Sequence, residues 1–267
     1  IQMGDVGPSG LRPIARGERV TDTGDGAVGR AFRELIALWL VTLLLIRLVV
    51  ELQAGAGLPD WVLAAVPLLF IYAPVLLCRW RSVDSWSYNL SIPAFSDGKA
   101  WKAVATTNLG LLLCVGPLFL VGYHFYQTRL FGFESGHGWP MDPLTIVAYQ
   151  LFFVAIPEEF FYRGYLQTRL NELHPRKFLI FGVPIGWGAV ITSIVFAFGH
   201  SLVQFQWWHF AIFFPSLLFC WMREKTGGIL AGAFFHASCN VGVVCLDTLY
   251  GIRGPMLSGK LLDWLSF

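Results

Sequence analysis

Charged side chains are scarce in this sequence. They make up 13% of its 267 residues, where a soluble domain carries about 25%. Hydrophobic residues make up 55%, and the mean hydropathy is +0.59. A water-soluble fold of this length could not cover its surface with so few charges, and a formal net charge of +2 supplies no basic surface. The composition therefore excludes a nucleic-acid-binding protein, a disordered hub and a secreted disulfide scaffold, and it predicts an integral membrane protein.

Paired cysteines are also lacking. The five cysteines lie in or at the ends of apolar segments without any Cys-x-x-Cys motif, so we interpret them as small packing residues. The first thirty residues are polar and rich in glycine, and no apolar run follows their early arginines. We therefore expect a flexible polar tail over residues 1–30 rather than a cleavable signal peptide, and a single transmembrane domain over residues 31–267.

Seven apolar segments follow the tail, each long enough, or nearly so, to cross a hydrocarbon layer of ~30 Å. They lack the alternating pattern of a transmembrane barrel, so we predict helices and an all-α polytopic fold. A further segment near 255–267 is predicted to form a helix in the membrane interface. The predicted spans are 32–52, 59–79, 103–127, 143–164, 179–200, 207–222 and 226–248.

Basic residues are distributed unevenly between the two sides of these spans. Fifteen of the nineteen Lys and Arg residues fall in the N-terminal tail and in the second, fourth and sixth connections. Three fall in the opposite connections and the C-terminus, and Arg47 lies inside the first span. Because cytoplasmic loops carry the excess of positive charge, we expect the N-terminus in the cytoplasm.

Two adjacent glutamates lie inside the fourth predicted span, in the segment Ala155–Arg163. An ionisable residue within a membrane is costly and indicates function. Glu159 and Arg163 are four residues apart, so they share a helix face and can form a buried ion pair. Glu158 points about 100° away, and it remains free to face a cavity and hold a water molecule. Pro157 frees a backbone carbonyl one turn earlier, which can open the helix to water. The alternative is a purely structural carboxylate pair that tethers helices.

Two histidine segments follow in later spans. His200 closes the fifth predicted span, and His236 lies in the last one, four residues before Asn240. His236 and Asn240 therefore project from one helix face and could donate two hydrogen bonds to one point. Singly, each histidine could equally be a packing residue. If Glu158 and His200 converge on a water molecule, they generate a hydrolytic nucleophile, and the other two residues stabilise the resulting oxyanion. We interpret the other four histidines as structural or solvated.

Other classes of intramembrane protease leave different signatures. The zinc type needs His-Glu-x-x-His, and the sequence contains no His-Glu dipeptide. The serine type is weakly supported. Ser201 follows His200 and Ser238 is two residues after His236, and residues this close in sequence do not face each other on a helix. The aspartyl type needs two intramembrane aspartates, and Asp247 is the one candidate. A nucleophilic Cys239 with His236 as its base stays open as an alternative.

Three motifs occur in order on successive membrane segments: Glu-Glu-x-x-x-Arg, Phe-x-x-x-His and His-x-x-x-Asn. This order resembles the CPBP family, the glutamic intramembrane proteases that include the Ras-converting CAAX endopeptidases and many bacterial relatives. The resemblance covers about residues 143–248. The motifs are present without substitution, at Glu158, Glu159, Arg163, Phe196, His200, His236 and Asn240.

The resemblance implies a role for each motif. Glu158 and His200 would activate water, and the His-x-x-x-Asn pair would form the oxyanion hole. Glu159 with Arg163 would orient the site or bind the terminal region of the substrate. It also implies a reaction without metal or cofactor, a membrane-anchored or lipidated peptide as substrate, and a multi-pass protein of a bacterial inner membrane. Because the family also contains bacterial enzymes that cut sorting tags or signalling peptides, these substrates stay open as alternatives. Two alternatives remain: a non-proteolytic membrane scaffold or immunity protein, and a zinc hydrolase whose ligands would be Glu158, His200 and His236.

The depths of these residues in the membrane do not agree with the predicted span boundaries. At 1.5 Å per residue, Glu158, His236 and His200 lie ~9, ~15 and ~22 Å above the inner face of a ~30 Å layer. This spread is too large for contact between straight helices. Either the boundaries are wrong, or the glycines and proline of residues 182–188 make the fifth span start later, or helix tilt closes the gap.

Overall fold

The computed structural model describes residues 25–83, 96–139 and 142–252. The predicted tail up to residue 24 and the predicted interfacial helix at 255–267 lie outside these ranges. Within them the chain forms seven principal helices, two of which begin with or follow a 3₁₀ turn. In chain order these are α1 (Asp25–Ala56), α2 (Asp60–Trp80), α3 (Gly98–Leu130), α4 (Pro143–Leu173), α5 (Trp187–Val203), α6 (Phe213–Thr226) and α7 (Leu230–Leu249).

The helices match the predicted all-α membrane class. Five of those described, α1 to α4 and α7, are long and apolar enough to cross a membrane, and α5 is a shorter apolar helix. Their outward faces carry large apolar side chains such as Leu44, Leu113 and Phe152, all of which are exposed. Outside a membrane such surfaces would be costly, whereas lipid tails solvate them. The predicted all-α polytopic architecture is therefore confirmed.

The start of the fifth predicted span is wrong. Residues Lys177–Ile180 (β1) and Val183–Gly186 (β2) form an antiparallel hairpin, and helix α5 begins only at Trp187. Phe181 and Gly182 both have positive φ, at 49° and 76°, as a tight two-residue hairpin turn requires. The structure therefore contains one of the three features that could explain the differing depths of Glu158, His236 and His200, namely a later start of the fifth helix. Similarly, the sixth predicted span, 207–222, begins as a 3₁₀ turn at Trp207–Ile212 before α6.

Helix α4 lies at the centre of the bundle. It packs against α2, α5, α6 and α7, and its aromatic residues Phe161 and Tyr162 are buried. Phe70 of α2 contacts the rings of both, and Tyr162 meets Phe196 of α5 edge to face, with 4.7 Å between ring centroids. The three helices that carry the predicted motifs, α4, α5 and α7, are therefore neighbours.

The first turn of α4 is capped by Asp142. Its carboxylate accepts a hydrogen bond from the Thr145 backbone N–H at 3.1 Å, and Pro143 occupies the first helical position, where its missing N–H is not needed. Hydrogen bonds from Thr145 hold the pKa of Asp142 below its ordinary value. This cap fixes where the central helix begins.

Candidate active site

Helix α4 departs from regular α-helical geometry where it carries the two glutamates. Two π-helical segments, Gln150–Ala155 and Phe160–Leu166, enclose one α-helical turn, Ile156–Glu159. Pro157 lies in that turn and has no N–H to donate, so the regular hydrogen-bond ladder is interrupted there. Wide turns of this kind occur frequently at functional sites. The sequence expectation that Pro157 opens the helix is consistent with this geometry.

Glu159 and Arg163 form the ion pair predicted from their spacing. Arg163 Nη1 donates to Glu159 Oε1 at 2.9 Å, and both side chains are 0% exposed. The other terminal nitrogen, Nη2, donates to Ser216 Oγ at 2.6 Å. The guanidinium also lies 4.3 Å from the ring centroid of Phe196 and 4.9 Å from that of Phe219. Because Arg163 is enclosed on all sides, its contacts favour orientation of the site over direct binding of a substrate terminus.

His236 of α7 lies against both glutamates. Its Nδ1 is 3.2 Å from Glu159 Oε1, and its Nε2 is 3.9 Å from Glu158 Oε2. The ring stacks on Phe219, with 4.9 Å between centroids. An ionised carboxylate only accepts hydrogen bonds, so Nδ1–H donates to Glu159 and Nε2 is the ring atom that faces Glu158. The ion pair of α4 therefore fixes the orientation of this histidine.

The two glutamates differ in access. The Glu159 side chain is 0% exposed, whereas that of Glu158 is 13% exposed. Glu159 is also held by a charged partner at 2.9 Å, while Glu158 faces the ring of His236 at 3.9 Å. Glu158 is therefore the less enclosed of the two carboxylates, although its Oε2 atom, which faces His236, is itself buried. That Glu158 holds a water molecule stays a prediction.

A glycine on α7 makes room for the buried carboxylate. A Cβ atom on Gly232 would lie 2.9 Å from Glu159 Oε2, closer than side chains normally approach. Around this point α4 and α7 pack through small residues, which lets the two backbones come close. These residues are Ala155, Ala233 and Ala237. The position of Glu159 therefore depends on the absence of a side chain at residue 232.

His200 reaches this cluster from α5. Its ring meets Phe196 edge to face at 4.6 Å between centroids, and the same Phe196 ring lies 5.9 Å from that of His236. Nδ1 of His200 is 2.9 Å from the Phe196 carbonyl oxygen, so this nitrogen donates to the backbone and Nε2 is left for other partners. His209 lies 5.7 Å from His200 and is buried. The burial of His209 is compatible with the structural role that the sequence analysis gave as one of its two interpretations.

Asn240 is held by a residue that lies outside the three sequence motifs. Its Nδ2 donates to Oε1 of Gln150 at 2.8 Å, and Gln150 is completely buried on α4. Asn240 and His236 therefore both face α4, in agreement with the predicted shared face of α7. The structure thus brings Glu158, Glu159, Arg163, His236 and Asn240 together along one helix interface, with His200 joined to them through Phe196.

A comparison with known families agrees with this arrangement. Residues 140–242 match the sequence model of the Rce1-like family, the type II CAAX prenyl endopeptidases. This segment is similar to the Rce1-like family. It runs from the start of α4 into α7 and contains all six predicted site residues, so the resemblance read from the three motifs is confirmed. The family indicates a CAAX-type membrane endopeptidase, a hydrolase. No curated protein and no solved structure matched the chain significantly.

The arrangement of side chains gives little support to two of the alternatives, a zinc hydrolase and a nucleophilic Cys239. Within residues 25–83, 96–139 and 142–252, no group of three or more His, Cys, Asp or Glu side chains is arranged to hold a metal ion. A zinc site built from Glu158, His200 and His236 therefore lacks a converging donor set. A nucleophilic Cys239 would need His236 as its base, but both ring nitrogens of that histidine face the glutamates of α4.

Proposed function

We propose that the chain is a glutamic-type intramembrane endopeptidase. It would hydrolyse a peptide bond in a membrane-anchored or lipidated C-terminal segment, without a metal ion or cofactor. The observation that carries the proposal is the unequal environment of the two adjacent glutamates. Glu159 is neutralised and enclosed by Arg163, whereas Glu158 is partly exposed and faces His236 at 3.9 Å. A structural tether would need no such difference, while a general base must reach its water molecule.

The accessible glutamate and His200 would activate the nucleophile. A water molecule held between Glu158 and Nε2 of His200 would transfer a proton to Glu158 as its oxygen attacks the carbonyl carbon of the scissile bond. The tetrahedral intermediate would then collapse with cleavage of the C–N bond. The proton held by Glu158 would pass to the leaving amine, which regenerates the carboxylate.

The residues of α7 would stabilise the charge that develops on the carbonyl oxygen. His236 and Asn240 share one face of the helix, and each is held by a hydrogen bond to a residue of α4. Because the Nδ1–H of His236 is bound to Glu159, the ring would donate to the oxyanion through Nε2–H, as an imidazolium. Preorganised donors of this kind contribute about 3–4 kcal/mol each to transition-state stabilisation. Glu159 and Arg163 would act indirectly, because they hold His236 in place. These roles agree with those that the family resemblance implies.

The surroundings of the site fit a substrate that is itself in the membrane. The catalytic helices lie inside a bundle whose outward faces are apolar, so a lipid-anchored peptide could approach laterally from the bilayer. The distribution of Lys and Arg supports an N-terminus in the cytoplasm. We propose a multi-pass protein of a bacterial inner membrane.

The decisive test removes the general base without changing its shape. We expect Glu158→Gln and His200→Ala to abolish cleavage while the protein still inserts and folds. The C-termini of membrane proteins would be compared by mass spectrometry between cells that express the wild-type protein and each variant, and folding would be checked by thermal unfolding. Glu172→Gln is the matched control, since Glu172 lies on the same helix in an exposed pair with Arg169.

Two results would contradict the proposal. Retained cleavage by either Glu158→Gln or His200→Ala would exclude the mechanism. Identical C-termini in cells with and without the wild-type protein would favour a non-proteolytic scaffold that keeps these residues only as a buried polar network.

A further inference from the structure

The interface between α4 and α7 ends in a contact between two amide side chains. Along α4, Glu159 faces His236 at 3.2 Å, and two helical turns away Gln150 faces Asn240 at 2.8 Å. Small side chains fill the space between these two polar contacts, at Ala155, Ala233 and Ala237. Each of the two α7 residues assigned to the oxyanion hole is therefore held by its own partner on α4.

We propose that Gln150 is a positioning residue, which holds the Asn240 amide in the orientation needed to donate to the oxyanion. This inference rests on the proposed function and adds a residue outside the three motifs. Gln150 touches Asn240 rather than the reacting atoms, so its effect on the reaction is transmitted through that amide.

The geometry of a carboxamide explains how the contact works. The Nδ2 group of Asn240 carries two N–H donors in one plane, and the terminal torsion of asparagine is broad when nothing restrains it. Once Gln150 Oε1 binds one of these hydrogens, the plane and the direction of the second are fixed. Stabilisation of an oxyanion depends on donors that are oriented before the reaction begins. The contact therefore supplies what Asn240 needs for that role.

Packing alone does not account for an amide at this position. Gln150 is fully buried, and its Nε2 has no hydrogen-bond partner among the described residues. A buried donor without a partner destabilises a fold, so an apolar side chain of equal size would suit a purely structural role better. The Oε1 atom of Gln150 accepts a hydrogen bond from Asn240, whereas its Nε2 group has no partner among the described residues. The bond to Asn240 is therefore the contribution that an apolar side chain at this position could not make.

The test compares two isosteric replacements of Gln150 in the purified, full-length protein. The probe is a farnesylated peptide that ends in a Cys-a-a-X sequence and carries a quenched fluorophore, and kcat and KM are measured separately. We expect Gln150→Met, whose thioether is only a weak acceptor, to lower kcat about 10- to 100-fold, since small misplacements of catalytic groups have effects of this size. KM should change less than about twofold, because substrate binding does not depend on the oxyanion contact. Gln150→Glu keeps an acceptor oxygen and should restore most of kcat per folded molecule, with the folded fraction measured by thermal unfolding because a buried carboxyl group is costly in a membrane helix.

A double-variant comparison shows whether the effect passes through Asn240. In an Asn240→Ala background, Gln150→Met should cause no further loss of kcat, because the amide that it positions is gone. Gln167→Met is the matched control. Gln167 is also a buried glutamine of α4, but it donates to the Cys220 carbonyl and to Glu224, away from the site. Its replacement should lower the melting temperature and leave kcat unchanged.

The outcomes separate this inference from the function on which it rests. If the wild-type protein cleaves the peptide and Gln150→Met keeps full kcat, the positioning role alone is overturned. It is also overturned if Gln150→Met lowers kcat by the same factor in the wild-type and in the Asn240→Ala protein. A Gln150→Glu variant as impaired as Gln150→Met would overturn it as well. A wild-type protein that leaves the farnesylated peptide intact would overturn the proposed function for this substrate class and the inference with it.

Discussion

The buried ion pair of α4 makes the most quantitative prediction. Replacement of Glu159 by alanine leaves the Arg163 guanidinium inside the bundle without a counter-charge, and breaking a buried pair in this way costs about 3–5 kcal/mol. Ser216 Oγ at 2.6 Å and the two aromatic rings at 4.3 and 4.9 Å remain as partners of the guanidinium. These contacts offset part of the loss, so we expect a value near the lower end, about 3 kcal/mol.

Thermal unfolding in detergent micelles measures this cost, and the eleven tryptophans supply a fluorescence signal. A loss of about 3 kcal/mol corresponds to a fall in melting temperature of roughly 10 °C in a chain of this size. Cleavage should also be lost in Glu159→Ala, because His236 loses the acceptor of its Nδ1–H. The double variant Glu159→Ala/Arg163→Met removes both charges and should be more stable than Glu159→Ala alone.

The matched control is the exposed pair of the same helix. Glu172 and Arg169 are three residues apart, with side chains 51% and 30% exposed. Glu172→Gln should therefore change stability by no more than about 0.5 kcal/mol. The reasoning is refuted if Glu159→Ala melts at the wild-type temperature, or if the double variant is destabilised by the sum of the two single changes.

Two further predictions concern the α4–α7 interface and the need for a metal ion. Gly232→Ala should lower cleavage and stability, by about 1–3 kcal/mol, because its Cβ would lie 2.9 Å from Glu159 Oε2. Gly242→Ala on the same helix meets nothing within 4 Å, so it should leave cleavage unchanged and stability unchanged or slightly raised, because alanine favours a helix over glycine. Equal effects of the two alanine variants would show that helix propensity, not the carboxylate, matters at residue 232. Cleavage should survive dialysis against EDTA and 1,10-phenanthroline, whereas a loss that added zinc restores would reinstate the zinc hydrolase.

Part of the site could be predicted because fixed helical spacing determines it. Residues four apart lie close together on one side of a helix, so the pairing of Glu159 with Arg163 and the common face of His236 and Asn240 followed from the sequence. The assignment of Glu158 as the freer carboxylate followed in the same way, from the 100° rotation between neighbours. These inferences need no knowledge of which helices are adjacent.

Other features depend on contacts between distant parts of the chain. Ser216 is 53 residues from Arg163, and nothing in its local sequence distinguishes it from another small helix residue. The same holds for Gly232, whose importance comes from a carboxylate on a different helix. The hairpin at 177–186 was missed for another reason. Its strands are short and apolar, and hydropathy alone cannot distinguish such a run from the start of a membrane helix.

Gln150 was missed because helical periodicity places it on the wrong side of α4. It precedes Glu159 by nine residues, which in a regular α-helix is a rotation of about 900°, two and a half turns, and would put the two side chains on opposite faces. In the structure both face α7, Gln150 towards Asn240 and Glu159 towards His236. The π-helical segment Gln150–Ala155 lies between them, and its wider turns rotate the chain less per residue. The irregular winding of α4 therefore aligns the buried amide and the buried carboxylate on the same neighbouring helix, and a pattern that assumes 100° per residue cannot find that alignment.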